Sequence, residues 1–221
     1  MKKYLPTILI VLAVVAVIGF VVWALAKPED SGSSSTTSQL TQAEQDSLKT
    51  GNTLGNPNSK VVVTEFGDYQ CPACGAWHPF IKDTVLPKYQ DKILFVFKNF
   101  PLTKPHPNAQ SSAQAAEAAA LQGKFWEMHN KLYESQDEWS ELKDPSSKYE
   151  QYAREIGLNV DQWKKDKDSS KVKDIIKADV AIGEKLNLPG TPSFLVNGKL
   201  VQTKAEADLT NAIDQALSAN Q

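Results

Sequence analysis

Cysteine is nearly absent from the sequence, with two among 221 residues, so the chain holds no multi-bridge scaffold of the kind that staples small secreted domains. It has no surplus of basic charge either. Twenty-four Lys and Arg face 26 Asp and Glu, and setting aside Lys2 and Lys3 leaves 22 against 26. That balance offers nothing to a phosphate backbone, and no nucleic-acid partner is expected. Glycine patterns that cradle phosphates are missing, so no bound organic cofactor is expected. No EF-type loop marks a calcium site, and no internal repeat is visible. What is present is 41% hydrophobic and 23% charged residues, enough apolar material for a core and too much for a disordered chain.

One uncharged run stands out, from Ile8 to Ala26. As a helix it would span roughly 28 Å, close to the hydrocarbon thickness of a bilayer. A cleavable signal peptide carries a shorter apolar region, about 7–15 residues, so a retained single-pass anchor is expected. Ala24-Leu25-Ala26 also fits a small-x-small cleavage site, which would release a secreted form. Lys2 and Lys3 hold the amino end inside, and the remainder is expected to be extracytoplasmic. The chain is therefore divided into a cytoplasmic stub and transmembrane signal anchor (1–27), a flexible tether (28–59) and a folded domain (60–221). The tether begins as a Ser/Thr/Gly-rich spacer, then offers a short helix capped at Thr41 with Glu44 three residues on, then a turn-rich lead-in.

The folded part alternates strands and helices. Val61–Phe66 is a β-branched strand, followed by Cys71 and a helix running to about Lys88, bent by Pro79. Ile93–Phe100 is the second strand. Helices are expected over 108–121, 125–135, 149–156 and 171–186. Ser193–Val196 and Lys199–Gln202 form a hairpin across Asn197-Gly198, a pair suited to a type I′ turn, and a helix over 205–219 closes the chain. This order predicts an α/β fold: a mixed central sheet covered by helices, with a helical insertion at about 108–183.

Cys71-Pro72-Ala73-Cys74 carries the chemistry. Two thiols at i and i+3 face each other across the first helical turn, where unpaired amides and the helix dipole favour an anion. Cys71 is thereby the expected attacking thiolate, and Cys74, one turn deeper, the shielded partner with the higher pKa. A CxxC that follows a strand and opens a helix suits thiol-disulfide exchange. Thr191-Pro192 lies just before a strand, where a cis bond would aim Thr191 toward the sulfurs and a substrate strand. Glu65, on the first strand, is either a buried proton acceptor for Cys74 or an exposed strand-end acid.

Glu65-Phe-Gly-Asp-Tyr-Gln-Cys-Pro-Ala-Cys, Phe125-Trp-Glu-Met-His and Gly190-Thr-Pro-Ser-Phe-Leu-Val-Asn-Gly occur in the order seen in one family. Over about 61–217 the chain resembles the DsbA/BdbD-type thioredoxin-fold thiol-disulfide oxidoreductases, membrane-anchored or secreted. The resemblance implies a thioredoxin fold with a helical insertion, behind the N-terminal transmembrane helix. It also implies Cys71 as exposed nucleophile, Cys74 as resolving thiol, a cis-proline loop at Thr191-Pro192 and an assisting buried Glu65. The redox-active Cys71–Cys74 disulfide is then the working group, and no cofactor or metal is called for. Pro72 and Ala73 are the redox-tuning pair; strong oxidants of the family often place His there, and its absence predicts a less oxidising disulfide. Outside the cytoplasm, oxidation of thiols in exported proteins is the expected traffic, with a membrane quinone-linked thiol oxidase as reoxidant.

Other readings compete. A reductase or isomerase of the same fold would use the same cysteines. A zinc or copper site would combine Cys71, Cys74 and His78, with His106 or His129 as a fourth ligand, although zinc sites bring ligand pairs from separate turns. A purely structural bridge over so short a loop would stabilise little.

Overall fold

Val62–Gly67 (β2) and Leu94–Asn99 (β3) are buried along their whole length and pair in parallel at the centre of the sheet. Strands buried on both faces read as near-continuous apolar runs, which is how these two read. The computed structural model describes residues 40–220. The anchor expected over 1–27 and the first part of the tether, 28–39, lie outside the described residues. Among those described, no helix is long and apolar enough to cross a membrane.

The elements run α1 (Gln42–Ser47), β1 (Asn52–Gly55), β2, α2 (Pro72–Phe80), a π-helical turn (Ile81–Val85), α3 (Leu86–Tyr89) and β3. Then come α4 (Ala109–Ala120), α5 (Phe125–Glu134), α6 (Gln136–Trp139), α7 (Ser146–Glu155), α8 (Val160–Lys167) and α9 (Ser170–Lys185). The hairpin β4 (Ser193–Val196) and β5 (Lys199–Val201) precedes α10 (Glu206–Ser218). The sheet order is β1-β3-β2-β4-β5, and every pair except β2·β3 is antiparallel. This is a thioredoxin-like mixed sheet with a helical insertion, as expected.

Two departures have clear causes. The second half of the expected tether is folded: α1 carries the Thr41–Glu44 capping box as expected, but β1, read only as a turn-rich lead-in, extends the sheet as an edge strand. Leu40 and Leu48 are buried against Phe66, Phe100 and Leu195, and Thr64 Oγ1 donates to the Leu48 carbonyl at 3.0 Å. Two leucines among polar residues were enough to fix the segment, while Asn52-Thr-Leu-Gly showed too little alternation to read as a strand. Pro79 has no N–H to give the carbonyl of Gly75, and the helix opens into the π-turn immediately beyond it.

Two adjoining cores pack on one face of the sheet, and the cluster around Leu40 and Leu48 covers the other. Val63, Ile81, Val85, Phe95, Phe194, Leu209 and Ile213 pack on the face shared by the Cys71 helix and α10. The insertion buries its alanine-rich α4 with Trp139, Tyr149, Tyr152 and Trp163, and this second core reaches Tyr69, Cys71 and Cys74. The cysteine pair therefore sits where the insertion meets the thioredoxin-like sheet.

Candidate active site

Cys71 is the N-cap of α2, with extended backbone and Pro72 at the first helical position. Proline suits that place, since its missing N–H would be unpaired anyway. Pro72 and Ala73 are exposed, while Cys71 keeps 7% of its surface and Cys74 none. The outer thiol is thus narrower in its access than the exposed nucleophile expected from sequence. Both cysteines are free thiols in this structure.

The two sulfurs differ sharply in acidity. A hydrogen bond from the Cys74 thiol is the largest influence holding Cys71 down to about 5 from its usual 9; burial opposes it, and the Thr191 side chain and the amides of Cys74 and Ala73 assist. Cys74 is pushed well above its usual value, first by burial, then by the neighbouring Cys71 and by the charge of Glu65. The asymmetry has the sign expected at that spacing, but its largest causes are the hydrogen bond from Cys74 and the burial of Cys74, with the helix amides adding a smaller part.

The Thr191–Pro192 bond is cis. In the thiol form Cys71 Sγ donates to the Thr191 carbonyl at 3.4 Å. The Thr191 hydroxyl is buried with no hydrogen-bond partner, and so is free to donate once the sulfur ionises.

Glu65 is buried at mid-sheet, opposite Phe97 on β3 and Phe194 on β4. Strand alternation puts it on the face of Val63, under the Cys71 helix. Burial raises its carboxyl to about 8, so it holds a proton at neutral pH. Of the two sequence readings of Glu65, the exposed strand-end acid is therefore set aside.

His78 and His129 lie together in one aromatic cluster, their ring centroids 5.3 Å apart, while His106 pairs with an acid elsewhere. His78 is buried, stacked on Tyr133 with ring centroids 5.1 Å apart, and burial lowers its pKa. His129 sits among Phe97, Trp126 and Tyr133, its Nδ1 3.1 Å from the Tyr69 hydroxyl. His106 Nδ1 lies 2.6 Å from the buried Asp68 carboxylate. Among the described residues, no group of three His, Cys, Asp or Glu side chains gathers as a metal site.

Three residues not singled out from sequence brace the cysteine turn. Asp68 accepts from the amides of Gln70 and Leu102, and its carbonyl takes the Cys71 N–H. Gln70 accepts from the Asn108 amide and donates to the Ser140 carbonyl. Gln136, from the insertion, donates to the carbonyls of Tyr69 and Cys71. Apart from the bonds of Asp68 to Gln70 and Cys71, these contacts join residues 34 to 70 positions apart, and nothing local in the sequence announces them.

Comparison with known proteins agrees with this geometry. A family model described as thioredoxin matches residues 47–215. Probable disulfide bond formation protein D of Bacillus anthracis is 30% identical over 219 residues, covering 93% of this chain and 92% of that protein. Na(+)/H(+) antiporter NhaA 1 of Mycobacterium sp. (strain KMS) is 40% identical over 149 residues, 66% of this chain but 23% of the antiporter. The chain thus matches less than a quarter of the length of relatives of that kind. The solved structure of a thioredoxin-like oxidoreductase from Silicibacter pomeroyi DSS-3 superposes with a TM-score of 0.65 at 30% identity, covering 78% of this chain and 97% of that one. With a family match over most of its described length and a 30% identical relative covered over 92% of its length, the chain belongs to the thioredoxin family.

Proposed function

We propose that the chain is an extracytoplasmic thiol-disulfide oxidoreductase that oxidises the thiols of exported proteins through Cys71 and Cys74. The observation that carries this reading is the split acidity of the pair, about 5 for Cys71 and well above 9 for Cys74. A stabilised thiolate favours the reduced pair, and so makes the disulfide a better oxidant.

In that direction a substrate thiolate attacks Cys71 Sγ, and the Cys71–Cys74 bond breaks. Cys74 leaves as a thiolate and takes the proton held on Glu65. A second substrate thiolate then attacks the substrate sulfur of the mixed disulfide and expels Cys71 as its stabilised thiolate. Two electrons pass from the substrate dithiol to the pair. Reoxidation runs in reverse against a membrane quinone-linked thiol oxidase, with Glu65 recovering the Cys74 proton. Thr191 and cis-Pro192 lie beside the sulfur where an extended substrate strand would pair. The uncharged run from Ile8 to Ala26 supports a membrane tether for the domain.

A reductase or isomerase would use the same residues, and Pro72-Ala73 between the cysteines favours it over a pair containing His. The reduction potential of Cys71–Cys74 separates the two. An oxidase is expected to lie well above about −200 mV and to re-form disulfides in a reduced, unfolded test protein; a value near thioredoxin's, about −270 mV, would refute oxidation as its direction. A Cys71→Ala variant is expected to lose exchange altogether.

A further inference from the structure

The side-chain amide of Gln136 reaches from the insertion into the turn that carries Cys71. Its Nε2 donates to the carbonyls of Tyr69 at 2.7 Å and Cys71 at 3.0 Å, gripping the backbone on both sides of Gln70. The Cys71 oxygen also accepts the Gly75 N–H at 3.1 Å, the first helical bond from that turn. The other end of the amide rests on Gly75 itself. A Cβ built there would lie 2.6 Å from Gln136 Oε1 and 3.1 Å from its Cδ. The residue after the second cysteine therefore lacks a side chain at the point where the amide packs.

We propose that Gln136 is a positioning residue for Cys71, holding the strand-to-helix turn so that the amides of Ala73 and Cys74 stay aimed at the sulfur, and that Gly75 is required to admit it. The proposal rests on the exchange role given to Cys71 above. Its physical basis is twofold. The Cys71 carbonyl carries partial negative charge beside its own sulfur, and two donors offset it. With only one donor left, the turn is free to rotate the first helical amides away from the anion.

The experiment is a pH titration of thiolate absorbance on the reduced protein, with thermal unfolding recorded alongside. Gln136→Ala is expected to raise the Cys71 midpoint by about one pH unit, the size of one ordinary hydrogen bond, and to slow its alkylation at pH 5 several-fold. Gly75→Ala displaces the amide while adding a better helix former, so it should shift the midpoint the same way without weakening α2. Asn108→Ala removes two side-chain bonds to the neighbouring loop, at Ser140 and Leu142, and keeps the backbone amide that donates to Gln70 and both Gln136 bonds to the Cys71 turn. It is expected to lower the unfolding temperature and leave the midpoint in place. A wild-type midpoint near 5 with both Gln136→Ala and Gly75→Ala unshifted would overturn this proposal alone. So would an Asn108→Ala shift as large as that of Gln136→Ala. A wild-type midpoint near 9 would overturn the exchange role and this proposal with it.

Discussion

Burial alone keeps a proton on Glu65 up to about pH 8, and the consequence can be measured as stability. The folded carboxyl titrates far above the ordinary 4.5, so the folded state binds the extra proton between those values. The stability that this represents is complete below pH 4.5 and is lost as pH rises through about 8. Glu65→Gln removes the titration. In the disulfide form, where neither thiol titrates, urea unfolding should show wild type losing stability against the variant between pH 5 and pH 9, on the order of a few kcal/mol. A constant difference across that range would remove Glu65 from the proton path. The same substitution should slow exchange about tenfold or more near neutral pH, because Cys74 would leave without a proton donor. Cys71 carries the opposite sign. Its lowered pKa stabilises the folded reduced protein fully above about 9, and that gain is lost as pH falls through about 5. The reduced form is therefore expected to be more stable relative to the oxidised form at pH 7 than at pH 4, read as the difference between their urea midpoints.

Elements differ in how openly the sequence declares them. The Asn197-Gly198 hairpin was legible because both residues adopt positive φ, 48° and 75°, which Asn and Gly accept most readily. The cysteine helix was legible from Pro72 and from the strand before it. By contrast α8 carries no apolar stripe, since Trp163 is its one buried residue amid lysines and aspartates. Strand β1 was hidden for a different reason: its pairing partner, β3, lies about 40 residues away, and its anchors Glu117 and Trp126 lie farther still. The segment from Leu40 to Gly55 is consequently part of the folded unit. Leu48→Ala is expected to destabilise it by about 2–4 kcal/mol in urea unfolding, from the lost burial and the cavity left beside Phe66 and Leu195. A loss below about 0.5 kcal/mol would mean that α1 is only lightly attached.

At the scale of the whole molecule, one buried polar cluster joins the sheet to the insertion. Lys98 on β3 pairs with Asp179 on α9 at 3.0 Å, both almost fully buried. Asn99 and Asn52 donate to Glu117 on α4 at 2.6 and 2.7 Å. Burial outweighs these donors and raises Glu117 to about 7, and it raises Asp179 as well despite Lys98. Asp179→Ala would leave the ammonium of Lys98 uncompensated, and should cost about 3–5 kcal/mol in chemical unfolding; a loss under about 1 kcal/mol would show that Lys98 escapes to water. No periodicity marks this cluster, because its members look like ordinary surface charges until the insertion folds over them. The same holds for Gln136 and for the Asp68–His106 pair. The chemistry-bearing residues were legible because their chemistry is local, whereas their braces depend on contacts across the fold.

The most direct measurement is the alkylation of the reduced wild-type protein as a function of pH, with each modified cysteine identified by mass. Modification of Cys71 alone, rising with a midpoint near pH 5 while Cys74 stays unmodified, is the expected result. Modification of both thiols at similar rates, with a midpoint near 9, would contradict the role given to Cys71.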